Sequence, residues 1–136
     1  MQSLHYASIK GRAEEIIEDI LALPPIATQA GLIFTLHLVC EEVVSNIVNY
    51  AYPEGQEGEL SVDVEDAGGS LVLTFKDKGT PFNPLTKEPP DTSLPLHERP
   101  IGGLGIFLVG QMMDDVSYSY VDGCNVLTLK KEKTGE

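Results

Sequence analysis

The segment from Ala27 to Ala51 most narrows what this chain can fold into. Its apolar residues nearly encircle a helix, and Tyr52-Pro53 stops it. Such a helix must have most of its surface covered. An earlier helix is available as a neighbour: Ala13, Ile16, Ile17, Ile20, Leu21 and Leu23 fall at helical spacing between Gly11 and Leu23, with acids on the other face. Pro24-Pro25 ends it. The remaining apolar residues are spaced for strands. Residues 59–66 alternate, Gly68-Gly69 reads as a hairpin turn, and 70–76 is the partner strand. Strands over 116–121 and 125–131 flank a turn at Asp122-Gly123, and 3–9 suits a further short strand. The expected class is α+β: a two-layer α/β sandwich, with a mostly antiparallel sheet covered on one face by helices.

At 136 residues the chain fits a single domain spanning 1–136, and 42% hydrophobic content supplies a core without disulfide or metal. The formal net charge is −12. That balance argues against nucleic acid or an anionic membrane as a partner, because phosphate contacts need clustered Lys and Arg. No basic residue lies between Arg12 and Lys76, a stretch carrying twelve acids. Lys76, Lys78, Lys87 and Arg99 then follow within a short span, so an anionic small molecule is expected near 76–105. The acidic stretch reads as a surface suited to a basic protein partner.

No run reads as a membrane span, and no basic region precedes an apolar stretch at the N-terminus. Cys40 and Cys124 have no framework spacing, and His5, His37 and His97 are scattered, so neither a disulfide nor a metal cluster is expected. These features predict a cytoplasmic protein.

Residues 77–101 read as one long loop holding six of the nine prolines. Loops of that length in a small domain are usually functional, often lids. A helix is expected from Gly102 to Asp114.

Three groups of residues carry chemistry. Glu42 and Asn46 are about 40° apart around a helix, at the edge of the stripe formed by Leu36, Val39, Val43 and Ile47. They read either as a surface hydrogen-bonded pair or as a catalytic carboxylate beside a hard-cation ligand, since an amide oxygen suits Mg²⁺. Asp77, in D-K-G-T-P-F after a strand, is either a turn former or an acceptor for an exocyclic amine, with Gly79 admitting a flat ring. Gly102 to Gly105, opening a helix, exposes backbone N–H groups suited to phosphate. The P-loop, dinucleotide and protein-kinase signatures are absent.

In this order, E-x-x-x-N, D-x-G-x-P-F and G-G-x-G-I with a closing hairpin resemble the GHKL (Bergerat-fold, histidine kinase-like) ATPases. The nearer resemblance is to their small stand-alone branch, the bacterial anti-sigma-factor serine/threonine-protein kinases. It rests on EEVVSNIVNYAYP, DKGTPFNP, GGLGIFLVGQMMDDVSY and GCNVLTLKK, and covers essentially the whole chain.

The resemblance implies ATP and Mg²⁺ as cofactors. Asn46 would hold Mg²⁺ on the phosphates, and Glu42 would be the general base. Asp77 would accept from the adenine amine, Gly79 would give the ring room, and Cys124 stands where a Thr often completes the adenine pocket. Gly103 and Gly105 would cradle phosphates under a lid of about 80–102, and Arg99 would neutralise charge on the transferred group. Tyr50 stands where the branch usually has His, and Pro100-Ile101 separates Arg99 from the glycines.

The implied function is phosphorylation of an antagonist (anti-anti-sigma) protein, with sequestration of a sigma factor, in a partner-switching circuit. Its alternative is a non-catalytic, nucleotide-gated protein-binding module of the same fold. Related kinases are commonly dimers, which leaves a homodimer open.

Overall fold

The computed structural model describes residues 1–52, 58–81 and 109–133. In chain order these give β1 (Gln2–Tyr6), α1 (Ala13–Leu21), α2 (Pro24–Ala27), a 3₁₀ turn (Ala30–Leu32), α3 (Ile33–Asn46), a π-helical turn (Ile47–Ala51), β2 (Leu60–Asp66) and β3 (Ser70–Asp77). Residues 109–112 are helical, and β4 (Asp115–Val121) and β5 (Cys124–Glu132) close the described chain.

The strands form one sheet in the order β1-β2-β3-β5-β4, antiparallel at every pairing. Period-two alternation sends one set of side chains toward the helices. Across the sheet, Leu4, Val62, Phe75, Leu127 and Tyr118 form one row, and Val64, Leu73, Leu129 and Val116 another. These pack with Ile16, Ile17 and Ile20 of α1 and Leu36, Val39, Cys40, Val43 and Val44 of α3 into one core. The opposite face carries short polar residues, among them Ser3, Asp63, Thr74, Thr128 and Ser117, paired in one row. The expected two-layer α+β sandwich is therefore the observed architecture.

The hairpins follow their turn residues. Gly68 has φ +89, and its N–H donates to Asp66 Oδ1 at 3.0 Å, closing the β2–β3 loop. Asp122 (φ 53) and Gly123 (φ 78) supply the left-handed pair that a two-residue β4–β5 hairpin demands.

The long helix needs two corrections. The expected single helix from 27 to 51 instead begins at Ala30 and runs on as contiguous 3₁₀, α and π-helical stretches, while Ala27 closes α2. Pro24-Pro25 does end α1, but it also seeds α2, because proline is pre-organised for the first helical positions. A 3₁₀ turn then leads into α3, and a π-helical turn follows Asn46. Second, Ala30–Asn49 is by length and composition apolar enough to cross a membrane, with mean hydropathy 1.5, contrary to the expectation that no run is. Its buried positions pack on α1 and the sheet, but only 33% of the stretch is buried and Phe34 stays 74% exposed, so the expectation that most of its surface is covered is not met among the described residues.

The thiols are both free, with Cys40 in the core and Cys124 half-exposed. Burial pushes the Cys40 thiol up to about 12, so it acts as a small apolar side chain.

Candidate active site

The top row of the helix-facing side is where the sheet turns polar. Tyr6, Leu60, Asp77, Asn125 and Tyr120 lie in register there, and Asp77 and Asn125 are both buried at 6% exposure. A buried carboxylate needs compensating donors. Asp77 Oδ1 accepts from the Gly79 N–H at 2.9 Å and from Asn125 Nδ2 at 2.9 Å. Among the described residues Asp77 Oδ2 has no hydrogen-bond partner. Desolvation raises the Asp77 carboxyl above the ordinary carboxylate value, while the two donated hydrogen bonds pull it back.

Asn125 is the functional candidate that sequence reading missed. Its Nδ2 also donates to the Thr80 carbonyl at 3.0 Å and, more loosely, to that of Gly79 at 3.4 Å. Its Oδ1 accepts from the Tyr118 hydroxyl. The side chain that reaches Asp77 from this end of β5 is thus Asn125, next to the expected adenine-pocket residue Cys124. Cys124 pairs with Val121 beside the hairpin turn, and its Sγ lies 3.9 Å from the Asp122 carbonyl. Strand alternation puts consecutive residues on opposite faces, so only one of the two can face Asp77. The available signal was an Asn at an inward position in line with Leu127 and Leu129.

Gly79 is buried against backbone. A Cβ there would lie 2.1 Å from the Ala51 carbonyl oxygen and 2.7 Å from its carbon. The Thr80 N–H donates to that same carbonyl at 2.8 Å. The Asp77–Thr80 loop is thus held directly against the end of the π-helical turn that follows Asn46.

Tyr52 fastens this junction from the other side. Its hydroxyl donates to the Glu59 carbonyl at 2.5 Å and accepts the Lys78 N–H at 2.8 Å. Its ring fills the space beside Gly58 (φ +73), where a Cβ would approach ring carbon to 2.5 Å. Burial pushes the Tyr52 phenol above its ordinary value, so it keeps its proton. Lys78 Nζ adds an ion pair to Glu59 Oε1 at 3.0 Å. Lys76 and Lys78 are exposed on either side of Asp77, and alternation within β3 turns Lys76 to the sheet face opposite it.

Glu42 and Asn46 are both half-buried, four residues apart, with Asn46 the last residue of α3. Among the described residues neither side chain has a hydrogen bond or ion pair, which sets them apart from neighbouring Glu41, paired with His37 at 3.5 Å. A half-buried carboxylate and amide without partners retain their full capacity for a ligand. The remaining sequence candidates, Arg99, Gly103, Gly105 and all but the first two residues of the expected lid at about 80–102, lie outside the described residues, as does the side chain of Tyr50. Among the described residues no three His, Cys, Asp or Glu side chains group as a metal site.

Comparison with known proteins bears on this geometry. A family model for the histidine kinase-like ATPase domain matches residues 9–131. The serine-protein kinase RsbW of Listeria monocytogenes is 31% identical over 118 residues, covering 81% of this chain and 75% of that protein. The serine/threonine-protein kinase BtrW of Bordetella bronchiseptica is 30% identical over 107 residues, 79% of this chain and 75% of its own. The RsbW kinase of Bacillus mycoides is 28% identical over 130 residues, or 90% and 81%.

Proposed function

The chain belongs to the histidine kinase-like ATPase domain family, and from that premise we propose that it is an ATP-dependent serine/threonine-protein kinase of the anti-sigma-factor type. The observation that carries the reading is the junction at Ala51. It holds the loop that follows the buried Asp77, whose Oδ2 is unpartnered among the described residues, against the π-helical turn that continues from α3, the helix carrying the unpartnered Glu42 and Asn46.

Asp77 Oδ2 is the acceptor for the adenine amine, and its partner oxygen is already saturated by protein donors. Asn46 fits a hard cation, because its half-buried amide has no protein partner and supplies a neutral oxygen. Mg²⁺ bound there supplies charge neutralisation on the phosphates. Glu42, one turn before Asn46, takes the proton from the attacking hydroxyl of a protein serine or threonine. By resemblance to the family, Gly103 and Gly105 would hold the phosphates and Arg99 would neutralise charge on the transferred group, with about 80–102 as the lid. The protein substrate is an antagonist protein, and the kinase itself sequesters a sigma factor. The acidic residues 13–75 form the face toward a basic region of a partner.

The test separates binding from chemistry. Glu42→Gln keeps Mg-ATP affinity within about threefold and lowers phosphoryl transfer to the cognate protein by about 10²–10⁴-fold. Transfer at the wild-type rate by this variant overturns the assignment of the base. Full nucleotide binding with no transfer by the wild-type chain favours the nucleotide-gated binding module instead.

A further inference from the structure

Beyond the acceptor itself, we infer that Tyr118, acting through the amide of Asn125, is the positioning residue that sets this site's preference for an amine-bearing purine. The inference rests on Asp77 being the base acceptor, and adds to it the device that aims the acceptor.

The geometry is a relay across three strands. Tyr118 on β4 pairs with Leu127 on β5, two residues from Asn125, so the two side chains share the helix-facing side and meet diagonally. The Tyr118 hydroxyl donates to Asn125 Oδ1. An amide has two ends of nearly equal shape, and only hydrogen bonding decides which way it points. With Oδ1 engaged by a donor, Nδ2 must face the oxygens of Asp77, Gly79 and Thr80, at 2.9, 3.4 and 3.0 Å. Reversal would set the amide oxygen against three acceptors.

The consequence falls on Asp77. Nδ2 and the Gly79 N–H together occupy Oδ1, which fixes the carboxylate plane and leaves Oδ2 as the acceptor for a ligand. A carboxylate so held recognises an N–H donor and rejects a base edge that presents none, since a buried acceptor left unpaired is costly. Tyr118 is half-buried and packs against the core, so its ring is held independently of the hydroxyl. Removing the hydroxyl alone therefore isolates the relay.

The experiment titrates the full chain with Mg-ATP and with the Mg complex of purine riboside triphosphate, which lacks the 6-amine. Wild type favours ATP by about tenfold or more, the worth of a hydrogen bond to a charged acceptor. Tyr118→Phe lowers that preference by about threefold or more, with affinity for the amine-free nucleotide unchanged. Asn125→Ala reproduces the loss with Tyr118 in place, and serves alone if the Phe variant does not fold. A wild-type chain that binds both nucleotides equally overturns the Asp77 reading. A wild-type preference that survives in both variants, or equal weakening toward both nucleotides, overturns the relay.

Discussion

Replacing Gly79 by Ala tests the junction most sharply, because the obstacle is backbone. The added methyl would lie 2.1 Å from the Ala51 oxygen, 2.7 Å from the carbonyl carbon and 2.8 Å from Ala51 Cβ. Gly79 does not have positive φ, so conformational strain contributes nothing and the whole effect is contact. Neither side can yield cheaply. Thr80 N–H is bonded to the same carbonyl at 2.8 Å, and Gly79 N–H to Asp77 at 2.9 Å. Forcing a methyl into such a contact costs about 1–3 kcal/mol, and loss of the Thr80–Ala51 hydrogen bond adds about 1 kcal/mol. The expected destabilisation is about 2–4 kcal/mol, equivalent to a fall in Tm of about 10 °C. Urea unfolding followed by circular dichroism reads it. Gly69→Ala is the control: a Cβ there meets nothing within 4 Å, and the change should stay within about 0.5 kcal/mol. A Gly79→Ala chain as stable as the Gly69→Ala control would refute the reasoning, since the close approach would then not exist in solution. Mg-ATP affinity should also fall in Gly79→Ala below its melting range, because the Asp77–Thr80 loop and the π-helical turn after α3 would be pushed apart.

Tyr52→Phe keeps the ring beside Gly58 but strands the Glu59 carbonyl and the Lys78 N–H, at a cost of about 1–3 kcal/mol with an unchanged urea m-value; a loss under about 0.3 kcal/mol would show that the bridge is not made. Asp77 gives a pH signature. Its carboxyl is raised in the folded state by desolvation, so the folded chain binds the proton at higher pH than the unfolded one. Between the ordinary value of 3.8 and the raised one, this group's contribution to stability falls as pH rises, and the penalty is complete above the folded value. Asp77→Asn should therefore be more stable than wild type at neutral pH without nucleotide, and the gap in urea midpoints should close as pH falls. A gap that widens toward acid would reverse the sign of the shift.

Much of the architecture was legible because a strand has only one way to alternate. The 59–66 and 70–76 patterns matched β2 and β3 to within a residue at each end, Gly68 marked the turn between them, and Asp122-Gly123 marked the β4–β5 turn. The helical run from 27 to 51 was less legible. Hydrophobicity shows where a helix must be covered but is blind to whether each turn is α, 3₁₀ or π, and the proline pair that ends one helix can start the next. In the site, Glu42, Asn46 and Asp77 stood out as polar residues at the edge of apolar patterns. Asn125 and Tyr118 did not, because a neutral amide and a tyrosine fit a strand as well as a functional site does; only the register sets Asn125 opposite Asp77. Tyr52 read as a helix stop before Pro53, and its two backbone contacts depend on chain segments 7 and 26 residues away.

The central claim is that Asp77 and Asn46 form the two ends of one nucleotide site. Calorimetric titration of the wild-type chain and of Asp77→Asn and Asn46→Ala with ATP, each with and without Mg²⁺, tests it most directly. The account predicts tight binding by wild type only with Mg²⁺, loss of affinity by about tenfold or more in Asp77→Asn whether or not the metal is present, and loss of the Mg²⁺ dependence in Asn46→Ala. Wild-type affinity in Asp77→Asn, or an intact Mg²⁺ dependence in Asn46→Ala, would contradict it.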